Sequence, residues 1–360
     1  MSKFTDSIFE KDLDLWSRLK FSERPIILYG TGDGADKIID VLESKGIGIN
    51  GVFASDGFKK GKVFRGFEVV GFKEICEKFD EFTVLLSFAS SLEDVIENVC
   101  KISEKVPVFA PDVPVFGEGL FDSEYFYANI NRLECIYNRL ADDKSKQTFS
   151  CAINYRLSGN IKYLFECESD ISEQYSVFMT NRAAEGYVDI GAYNGDTVSQ
   201  FCSYFGKNII ISAFEPDARN FKKMLARFEV EKICGVNTHN IAAWSESAEL
   251  EFFSRSGRNS STGANRNLKR TLIPANSVDN VLTHSCGVIK IDAEGAEKQV
   301  LQGLAQTIEK YRPVLKIAAY HRTADYFEIP EQVLALNPDY KMYMRHLRYI
   351  PCWDTDFIFV

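Results

Sequence analysis

Two stretches of this chain share one local pattern, in which a short apolar run is followed by a glycine-rich turn and an amphipathic helical segment. The first apolar run covers residues 25–29 and leads into the turn at 30–34; the second covers 187–190 and leads into the turn at 191–196. Such short apolar runs are typical of buried strands. Strands that alternate with helices pair in parallel. We therefore predict an α/β protein with two doubly wound, Rossmann-like domains.

The domain boundaries follow from the interval in which this alternation stops. Between 116 and 180 apolar residues recur at spacings of three and four, which predicts helices packed on a neighbour. We assign residues 1–115 to a Rossmann-like N-terminal domain, 116–180 to a helical connector and 181–360 to a second α/β domain. The last two predicted strands, 341–344 and 356–360, are close enough in sequence to pair as an antiparallel terminal hairpin.

Charge and cysteine content restrict the class of protein. The 360 residues include 42 Lys and Arg against 51 Asp and Glu, a net charge of −9, which argues against a nucleic-acid binder. The nine cysteines are dispersed and form no CxxC pair, so a cytoplasmic location is predicted. The N-terminal residues do not form a signal peptide, and no apolar stretch is long enough to span a membrane.

The second glycine-rich turn carries the strongest chemical signal. Glu215 follows Gly191 by 24 residues and ends the next predicted strand, where an acid can accept hydrogen bonds from ribose hydroxyls. The turn is flanked by two carboxylates, Asp189 and Asp196, which would repel a diphosphate but suit a cationic sulfonium. This favours S-adenosylmethionine over NAD as the cofactor; the alternative is a tight structural turn with a solvated glutamate.

Several segments of the second domain resemble the FkbM family of S-adenosylmethionine-dependent methyltransferases. The resemblance covers about residues 170–360 and is carried by VDIGAYNGDT (188–197), AFEP (213–216), NIAAW (240–244), VIKIDAEGAEKQVLQG (288–303) and RPVLKIAAYH (312–321). It implies the class I methyltransferase fold, a seven-stranded sheet with one reversed strand. One departure from the wider superfamily is Tyr193, which stands where the first motif often has its middle glycine.

The resemblance also implies positions for the cofactor. The methionine portion would be surrounded by Asp189, Gly191, Ala192, Asn194, Gly195 and Asp196. Glu215, followed by Pro216, would hold the ribose, and Asn240 and Ala242 would lie near the adenine. The adenine assignment has less support, because no acid follows the third strand to accept its amine.

Catalytic candidates follow the fourth and fifth strands, next to the expected sulfonium. Methyl transfer to a hydroxyl requires an aligned acceptor and removal of its proton. Asp292 and Glu294 follow the fourth strand, and His321, whose ordinary pKa near 6.5 suits a base, follows the fifth. Asp292 would otherwise cap a helix, and His321 would otherwise be an ordinary hydrogen-bonding residue. A divalent metal held by all three is a further alternative, although no metal ligands are assigned; His346 is expected to be structural.

The N-terminal domain has a fingerprint of its own. The pattern Gly30-x-Gly32-x-x-Ala35 follows a strand and opens a helix, and Asp56 ends the next strand, as in dinucleotide or sugar-nucleotide pockets. This domain resembles the Rossmann-like domain of bacterial sugar acyltransferases, which implies a nucleotide-sugar ligand. Asp33 in the turn argues against a pyrophosphate, so a purely structural role is the alternative.

These features predict an S-adenosylmethionine-dependent O-methyltransferase that acts on a hydroxyl of a sugar, glycan or sugar-derived metabolite. The polar insertion at 255–267 is either a substrate loop, whose arginines would hold an anionic group, or a solvated loop. Two other functions stay open. One is an oxidoreductase or binding protein that uses NAD or a nucleotide-sugar in the N-terminal domain; the other is a non-catalytic scaffold with a nucleoside pocket.

Overall fold

The computed structural model describes residues 2–55, 57, 63–253 and 270–360. Asp56 of the predicted nucleotide pocket and the insertion at 255–267 therefore lie outside the described residues. The N-terminal domain contains α1 (Lys3–Ser7), α2 (Leu15–Phe21), β1 (Ile26–Tyr29), α3 (Asp33–Ser44), β2 (Gly51–Phe53), β3 (Val63–Phe64), β4 (Phe67–Val70), α4 (Phe72–Lys78), β5 (Thr83–Leu86), α5 (Glu93–Ser103) and β6 (Val108–Phe109).

The N-terminal sheet has the strand order β3-β4-β2-β1-β5-β6. All of its neighbouring strands are parallel except β3 and β4, which pair antiparallel. The sequence does not predict β3 and β4, because only Val69 among their six residues is buried and they form no apolar run. Apolar runs at 25–29, 47–54, 83–89 and 106–109 predict four strands, which correspond to β1, β2, β5 and β6.

Two glycines of the first turn serve to bring helix α3 close to strand β5. A Cβ atom on Gly34 would lie 2.4 Å from the carbonyl oxygen of Ser87, and one on Gly30 would lie 2.7 Å from the Ser87 hydroxyl. A Cβ on Gly32 would meet no atom within 4 Å. Glycine is therefore required at positions 30 and 34, because a side chain there would prevent close packing of the helix against the sheet.

The connector is helical, as its apolar spacing predicts. It contains α6 (Ser123–Arg139), α7 (Asp143–Ser158), α8 (Lys162–Glu166), α9 (Ile171–Glu173) and a π-helical turn (Gln174–Met179), and a 3₁₀ turn (Ala183–Glu185) follows it. Every residue from Thr148 to Ser158 is buried. Helix α7 therefore passes through the interior of the molecule instead of covering one face of it.

Polar residues of α7 fasten three separate parts of the chain. The Asn154 carboxamide accepts hydrogen bonds from the backbone amides of Phe9 (2.7 Å) and Glu10 (3.1 Å). The Arg156 guanidinium donates to Asp112 (2.8 Å), after β6, and to the carbonyl of Thr323 (3.3 Å), after the fifth strand of the second sheet. Because buried polar groups need partners, these bonds explain how a helix with polar residues on several sides can be interior.

The second domain contains β7 (Tyr187–Ile190), α10 (Asp196–Phe205), β8 (Ile211–Phe214), α11 (Ala218–Glu231), β9 (Val236–His239), β10 (Ala242–Ala243), β11 (Ala248–Phe253), β12 (Arg270–Asn276), α12 (Val278–Val281), β13 (Val288–Ile291), α13 (Glu297–Gln302), α14 (Ala305–Tyr311), β14 (Val314–Ala318), α15 (Asp325–Leu336), β15 (Met342–His346) and β16 (Thr355–Phe359). Its main sheet has the order β15-β16-β14-β13-β7-β8-β9. Strands β14, β13, β7, β8 and β9 are parallel to one another. Strand β16 lies between β14 and β15 and pairs antiparallel with both.

A small second sheet lies beside the main one. The sequence pattern predicts one strand over 238–242, but the structure has two, because the chain leaves β9 at His239 and enters β10. Strand β10 belongs to a sheet of order β10-β12-β11. Strands β11 and β12 pair antiparallel on either side of the polar insertion. This sheet was not predicted, since β11 alternates acidic and apolar residues without a buried run.

One hydrophobic core joins the two main sheets. It extends from alternate residues of the N-terminal sheet, such as Ile27 and Tyr29, through Phe126 and Phe149 of the connector to Ile291 of the second sheet. The two outer sheet faces have cores of their own. Among the described residues no helix combines the length and apolarity needed to cross a membrane, and the nine cysteines are free thiols.

The packing role of the first turn predicts different outcomes for two neighbouring glycines. Gly34→Ala should lower the free energy of unfolding by about 1–3 kcal/mol, because its Cβ would overlap the Ser87 carbonyl. Gly32→Ala, at a helix N-cap that faces open space, should cost less than about 1 kcal/mol. Urea and thermal denaturation of both variants measure this difference. Equal losses would contradict a packing role for Gly34.

Candidate active site

A single cleft of about 710 Å³ opens at the carboxyl ends of the central strands of the second sheet. In a parallel α/β sheet this edge is where ligands bind. The cleft is also bounded by the N-terminal domain, which contributes Ser91 after β5 and Val115 after β6. A ligand in the cleft would therefore contact both domains.

The floor of the cleft holds a buried ion pair between neighbouring strands. Asp189 of β7 and Lys290 of β13 are register partners, and the Lys290 ammonium lies 3.2 Å from Asp189 Oδ1. The same ammonium donates a hydrogen bond to the carbonyl of Gly191 (2.8 Å) and lies 3.8 Å from Asp292 Oδ2. Burial favours the neutral amine, but the two carboxylates outweigh it and raise the pKa of Lys290 above its ordinary value. Lys290 thus connects the turn after β7 to the loop after β13.

Three residues of the turn after β7 adopt the left-handed conformation. Gly191 has φ 74°, and a Cβ there would lie 1.8 Å from the carbonyl oxygen of Asp292. Gly195, with φ 80°, packs against the ring of Phe228. Tyr193 has φ 48°. This explains the superfamily glycine at the Tyr193 position, because glycine adopts that conformation without strain.

Glu215 lies at the end of β8, facing the same cleft. It is only 6% exposed, and its two carboxylate oxygens accept hydrogen bonds from the backbone amides of Tyr193 (2.9 Å) and Asp217 (2.8 Å). Burial raises the pKa of Glu215 to about 7, against the effect of these amides. A carboxylate in this position can accept further hydrogen bonds from a ligand.

Two acidic residues of the loop after β13 line the opposite part of the cleft. Asp292 accepts a hydrogen bond from the Tyr320 hydroxyl (3.2 Å). Burial opposes its charge, but Lys290 and His321 keep the pKa of Asp292 below its ordinary value. Burial dominates at Glu294 and raises its pKa. Glu294 also has φ 52°, a strained conformation for a residue with a side chain.

His321 lies behind these carboxylates and is 1% exposed. Its Nδ1 is 3.0 Å from Glu297 Oε1, and its Nε2 is 3.4 Å from Asp292 Oδ1 and 3.5 Å from Glu294 Oε2. Burial alone would favour the neutral ring, but Glu297 and Glu294 raise the pKa of His321 well above its ordinary value. The raised pKa favours a protonated ring, which is unsuited to accept a proton from a substrate.

The family comparison agrees with this geometry. Residues 189–351 match the family model described as the Methyltransferase FkbM domain. This part of the chain is a methyltransferase domain. The match extends from the buried Asp189 to the turn that precedes β16, and so contains most of the cleft. It confirms the prediction that the protein is a methyltransferase and supports S-adenosylmethionine as its cofactor.

Solved structures extend the similarity to both domains. A methyltransferase FkbM from Methylobacillus flagellatus KT is 19% identical, with a TM-score of 0.71, over 99% of this chain and 98% of that chain. At this identity the match shows a shared fold. A putative rRNA methylase from Clostridium thermocellum (11% identity, 48% of this chain, 84% of that chain, TM-score 0.32) and Aeropyrum pernix fibrillarin with bound S-adenosyl-L-methionine (12% identity, 49% and 66%, TM-score 0.32) are too distant to add to this. No curated protein matches the chain.

The methyltransferase domain brings about half of the predicted site residues to the cleft. Those that line it are Gly191, Asp196, Glu215, Pro216, Ala242, Asp292 and Glu294. Those that do not line it are Asp189, Ala192, Asn194, Gly195, Asn240 and His321. Asp189, Ala192 and Gly195 are buried beneath the turn.

Two of the predicted residues that do not line the cleft support it through the backbone. The Asn240 carboxamide donates to the carbonyl of Glu215 (2.8 Å) and so steadies the turn after β8. The Asn194 carbonyl accepts a hydrogen bond from the Arg227 side chain (2.9 Å), which ties the turn after β7 to α11. His346 is buried in β15, where it contacts the Thr355 hydroxyl (2.9 Å), in agreement with a structural role.

Several residues that line the cleft of the methyltransferase domain could not be predicted from the sequence. Lys290 lies inside the apolar run of β13, where a charged residue would be noticed only after the register with Asp189 is known. Aromatic residues form another wall, with Tyr320 and Trp353 at 6.2 Å between ring centroids and Tyr349 and Trp353 at 5.8 Å. Tyr320 follows β14, whereas Tyr349 and Trp353 lie in the loop between β15 and β16, and nothing in the sequence spacing predicts that these two loops meet.

The alternative of a divalent metal held by Asp292, Glu294 and His321 is matched only in part. Within the described part of the chain, the group compatible with an ion consists of Asp292, Glu297 and His321, with Glu297 in place of Glu294. However, the closest oxygens of Glu297 and Asp292 lie beside opposite ring nitrogens of His321. This arrangement suits a protonated imidazole between carboxylates.

The buried ion pair predicts a large cost for removal of one partner. Lys290→Met should lower the free energy of unfolding by about 3–5 kcal/mol, because it leaves the Asp189 carboxylate buried without a cation. Lys298→Met removes a partly exposed partner of Glu328 and should cost about 1 kcal/mol or less. Denaturation curves of the two variants make the comparison. Similar losses would show that the Asp189–Lys290 pair is not important for stability.

Proposed function

We propose that the protein transfers a methyl group from S-adenosylmethionine to a hydroxyl group of a sugar, glycan or sugar-derived metabolite. The observation that carries this proposal is the convergence of two acidic sites on one cleft. Glu215 stands at the end of β8, and the pair Asp292 and Glu294 stands after β13. The first site suits a nucleoside and the second suits proton transfer.

The residues around the turn after β7 fit the cofactor. A ribose offers two hydroxyl donors, and the buried Glu215 carboxylate, which is hydrogen-bonded to the turn, can accept from them. Asp196 adds a negative charge to the same wall, which stabilises a ligand that carries a sulfonium and an ammonium group. The cleft volume of about 710 Å³ lies within the range of small-molecule sites, so it can hold both the cofactor and an acceptor.

When bound, S-adenosylmethionine supplies a methyl group on a cationic sulfur, and the sulfur leaves as a neutral thioether. The acceptor oxygen forms the new bond to carbon and must lose its proton. We assign proton removal to Glu294, because its raised pKa makes it more basic than Asp292. Asp292, held by Tyr320 and Lys290, accepts a hydrogen bond from the acceptor and orients it.

The aromatic wall supports a sugar as the acceptor. Tyr320, Tyr349 and Trp353 line the cleft next to the acidic pair. The negative face of an aromatic ring attracts the polarised C–H groups of a sugar ring. Carboxylates of Asp292 and Asp354 in the same cleft provide acceptors for sugar hydroxyls. Aromatic surface beside carboxylates is therefore complementary to a polyol with apolar faces.

The N-terminal domain enters this proposal as a wall of the acceptor site. Ser91 and Val115 reach the cleft from that domain, whereas Gly30 and Gly34 of its glycine-rich turn pack against β5. We therefore place the acceptor, including any nucleotide that activates the sugar, between the domains. The proposed proton route uses carboxylates alone, because a cation at His321 would have to displace a ring proton that two carboxylates stabilise.

Cofactor affinity should depend on pH through Glu215. Its pKa in the free protein is about 7, so the carboxylate that accepts ribose hydrogen bonds is lost as the pH falls through this value. Affinity for S-adenosylhomocysteine should therefore decrease by about tenfold per pH unit below neutrality. Calorimetric titration across this range measures it. In Glu215→Gln the affinity should be weak at every pH; a pH dependence that persists in this variant would exclude Glu215 as its cause.

The two acidic residues after β13 should separate catalysis from cofactor binding. Glu294→Gln should slow methyl transfer by about 100-fold or more, because it removes the proton acceptor. Asp292→Asn should slow it less, since an amide oxygen still accepts a hydrogen bond. Both variants should bind S-adenosylhomocysteine as the natural protein does.

The assay for these variants uses S-adenosylmethionine with a radiolabelled methyl group. The acceptors are a panel of free monosaccharides and of UDP-, GDP- and dTDP-linked sugars, and mass spectrometry locates the added methyl group. Transfer to a sugar hydroxyl would support the proposal. Transfer to a nitrogen or carbon atom, or a natural rate in Glu294→Gln with a competent acceptor, would overturn the assignment.

A further inference from the structure

Glu297, the last residue of the segment IDAEGAE, has no function in the proposal above, although it is almost completely buried next to the cleft. Glu297 is 1% exposed. Its Oε1 accepts hydrogen bonds from the backbone amides of Ala293 (2.9 Å) and Gly295 (3.3 Å). These amides belong to the loop that carries Asp292 and Glu294. Glu297 is thus bonded to the loop from behind, at the start of α13.

The same Glu297 oxygen lies beside His321, which is the link to the cleft. Oε1 is 3.0 Å from His321 Nδ1, although no described residue meets this nitrogen in good hydrogen-bond geometry. The other nitrogen, Nε2, lies 3.4 Å from Asp292 and 3.5 Å from Glu294. The imidazole ring therefore stands between one carboxylate that faces the protein interior and two that line the cleft.

We propose that Glu297 and His321 act together as a positioning pair, in which a charged imidazole ring fixed by Glu297 holds the Asp292 and Glu294 carboxylates at the cleft. This inference rests on the proposed role of those carboxylates in methyl transfer. It gives His321 a different task from the general base that its sequence position suggests. It also assigns a task to Glu297, which touches neither cofactor nor acceptor.

The charges around His321 come from every element packed against it. Asp292 and Glu294 face it from the loop after β13, Glu297 from α13 and Asp325 from the start of α15. The nearby cations are Lys290, which is engaged with Asp189, and Arg322, whose side chain donates to the carbonyl of Gly295 (2.7 Å). The carboxylates of Asp292, Glu294, Glu297 and Asp325 thus lie around one buried ring, and a charged His321 reduces the repulsion between them.

The conformation of the loop shows why such a pair is needed. Glu294 has φ 52° and Gly295 has φ 88°. A glutamate pays a conformational cost in the left-handed region, so the loop keeps this shape only if surrounding contacts stabilise it. The hydrogen bonds to Glu297 and the attraction of His321 for the Glu294 carboxylate provide those contacts. Without them, Glu294 is free to relax to an ordinary conformation and leave the cleft.

Two further contacts hold the His321 ring from the N-terminal domain side. The backbone carbonyl of His321 accepts a hydrogen bond from the amide of Phe116 (3.0 Å), and the Phe116 ring lies 6.0 Å from the imidazole. Phe116 is the first residue of the connector, after β6 of the N-terminal domain. Its ring therefore helps to exclude water from the imidazole ring, which strengthens the electrostatic interactions there.

The first arm of the test is NMR of protein labelled at histidine, because the chain has only four histidines. At neutral pH, His321 should show both ring nitrogens protonated, whereas the equally buried His346, whose pKa is lowered by burial to about 4, should be neutral. Glu297→Gln keeps an oxygen for the loop amides but removes the charge, and should shift the titration of His321 to lower pH by about one unit or more. Glu331→Gln, which alters a surface pair with Arg132, is the matched control and should shift nothing.

The second arm is kinetic and uses whichever sugar of the panel accepts the methyl group. Glu297→Gln and His321→Gln should each lower kcat by about tenfold or more with an unchanged KM for S-adenosylmethionine, whereas Glu331→Gln should change neither. A purely structural role would instead lower thermal stability and leave kcat per folded molecule unchanged. That outcome would overturn the positioning pair.

The NMR arm needs no acceptor, so it distinguishes failure of this inference from failure of the proposed function. A neutral His321 in the natural protein would refute the pair even if sugars are methylated. Added Mn²⁺ that selectively broadens the His321 signals at micromolar concentration would also refute it, because it would identify a cation site instead. A charged His321 together with no methyl transfer to any sugar would leave the pair supported and reject the sugar acceptor.

Discussion

The cleft depends on a buried ion pair between two neighbouring strands. Parallel pairing in register places Asp189 of β7 beside Lys290 of β13, so the ammonium and the carboxylate meet below the end of the sheet. The Lys290 ammonium has three N–H donors, so it can also face the carbonyl of Gly191 and the carboxylate of Asp292. A charge that is otherwise costly to bury thereby fixes two loops with respect to each other. The two sides of the cleft, which we propose to hold the cofactor and the acceptor, are aligned because both loops are bonded to this single cation.

Much of the fold follows from patterns within short segments. The buried strands of both sheets are apolar runs bounded by glycine or polar residues, and α6 and α7 occur where apolar residues recur at helical spacing. Exposed strands such as β3 and β4 carry no such pattern, and the division of one predicted strand into β9 and β10 depends on a second sheet whose strands are distant in sequence. Hydrophobic periodicity predicts whether a segment is buried, but it does not predict which other strands or helices the segment packs against.

The residues of the candidate site also divide into those that the sequence predicts and those that depend on tertiary structure. Glu215, Asp292 and Glu294 could be predicted because each follows a strand whose end lies at the ligand-binding edge of a parallel sheet. The role of Lys290 could not, since it depends on register, and the environment of His321 could not, since it depends on how residues 292–297 pack against the end of β14. Ser91 and Val115 of the N-terminal domain join the cleft only through the packing of the two domains. The resemblance of that domain to sugar acyltransferases stays a prediction.

Helix α7 restricts the relative motion of the two α/β units. Because residues 148–158 of this helix are buried and belong to one core with both sheets, a rigid-body separation of the two units would expose that core to water. Hinge opening of the type seen in two-domain binding proteins is therefore energetically unfavourable for this interior. A half-molecule that bears the second sheet alone would likewise expose an apolar face to water.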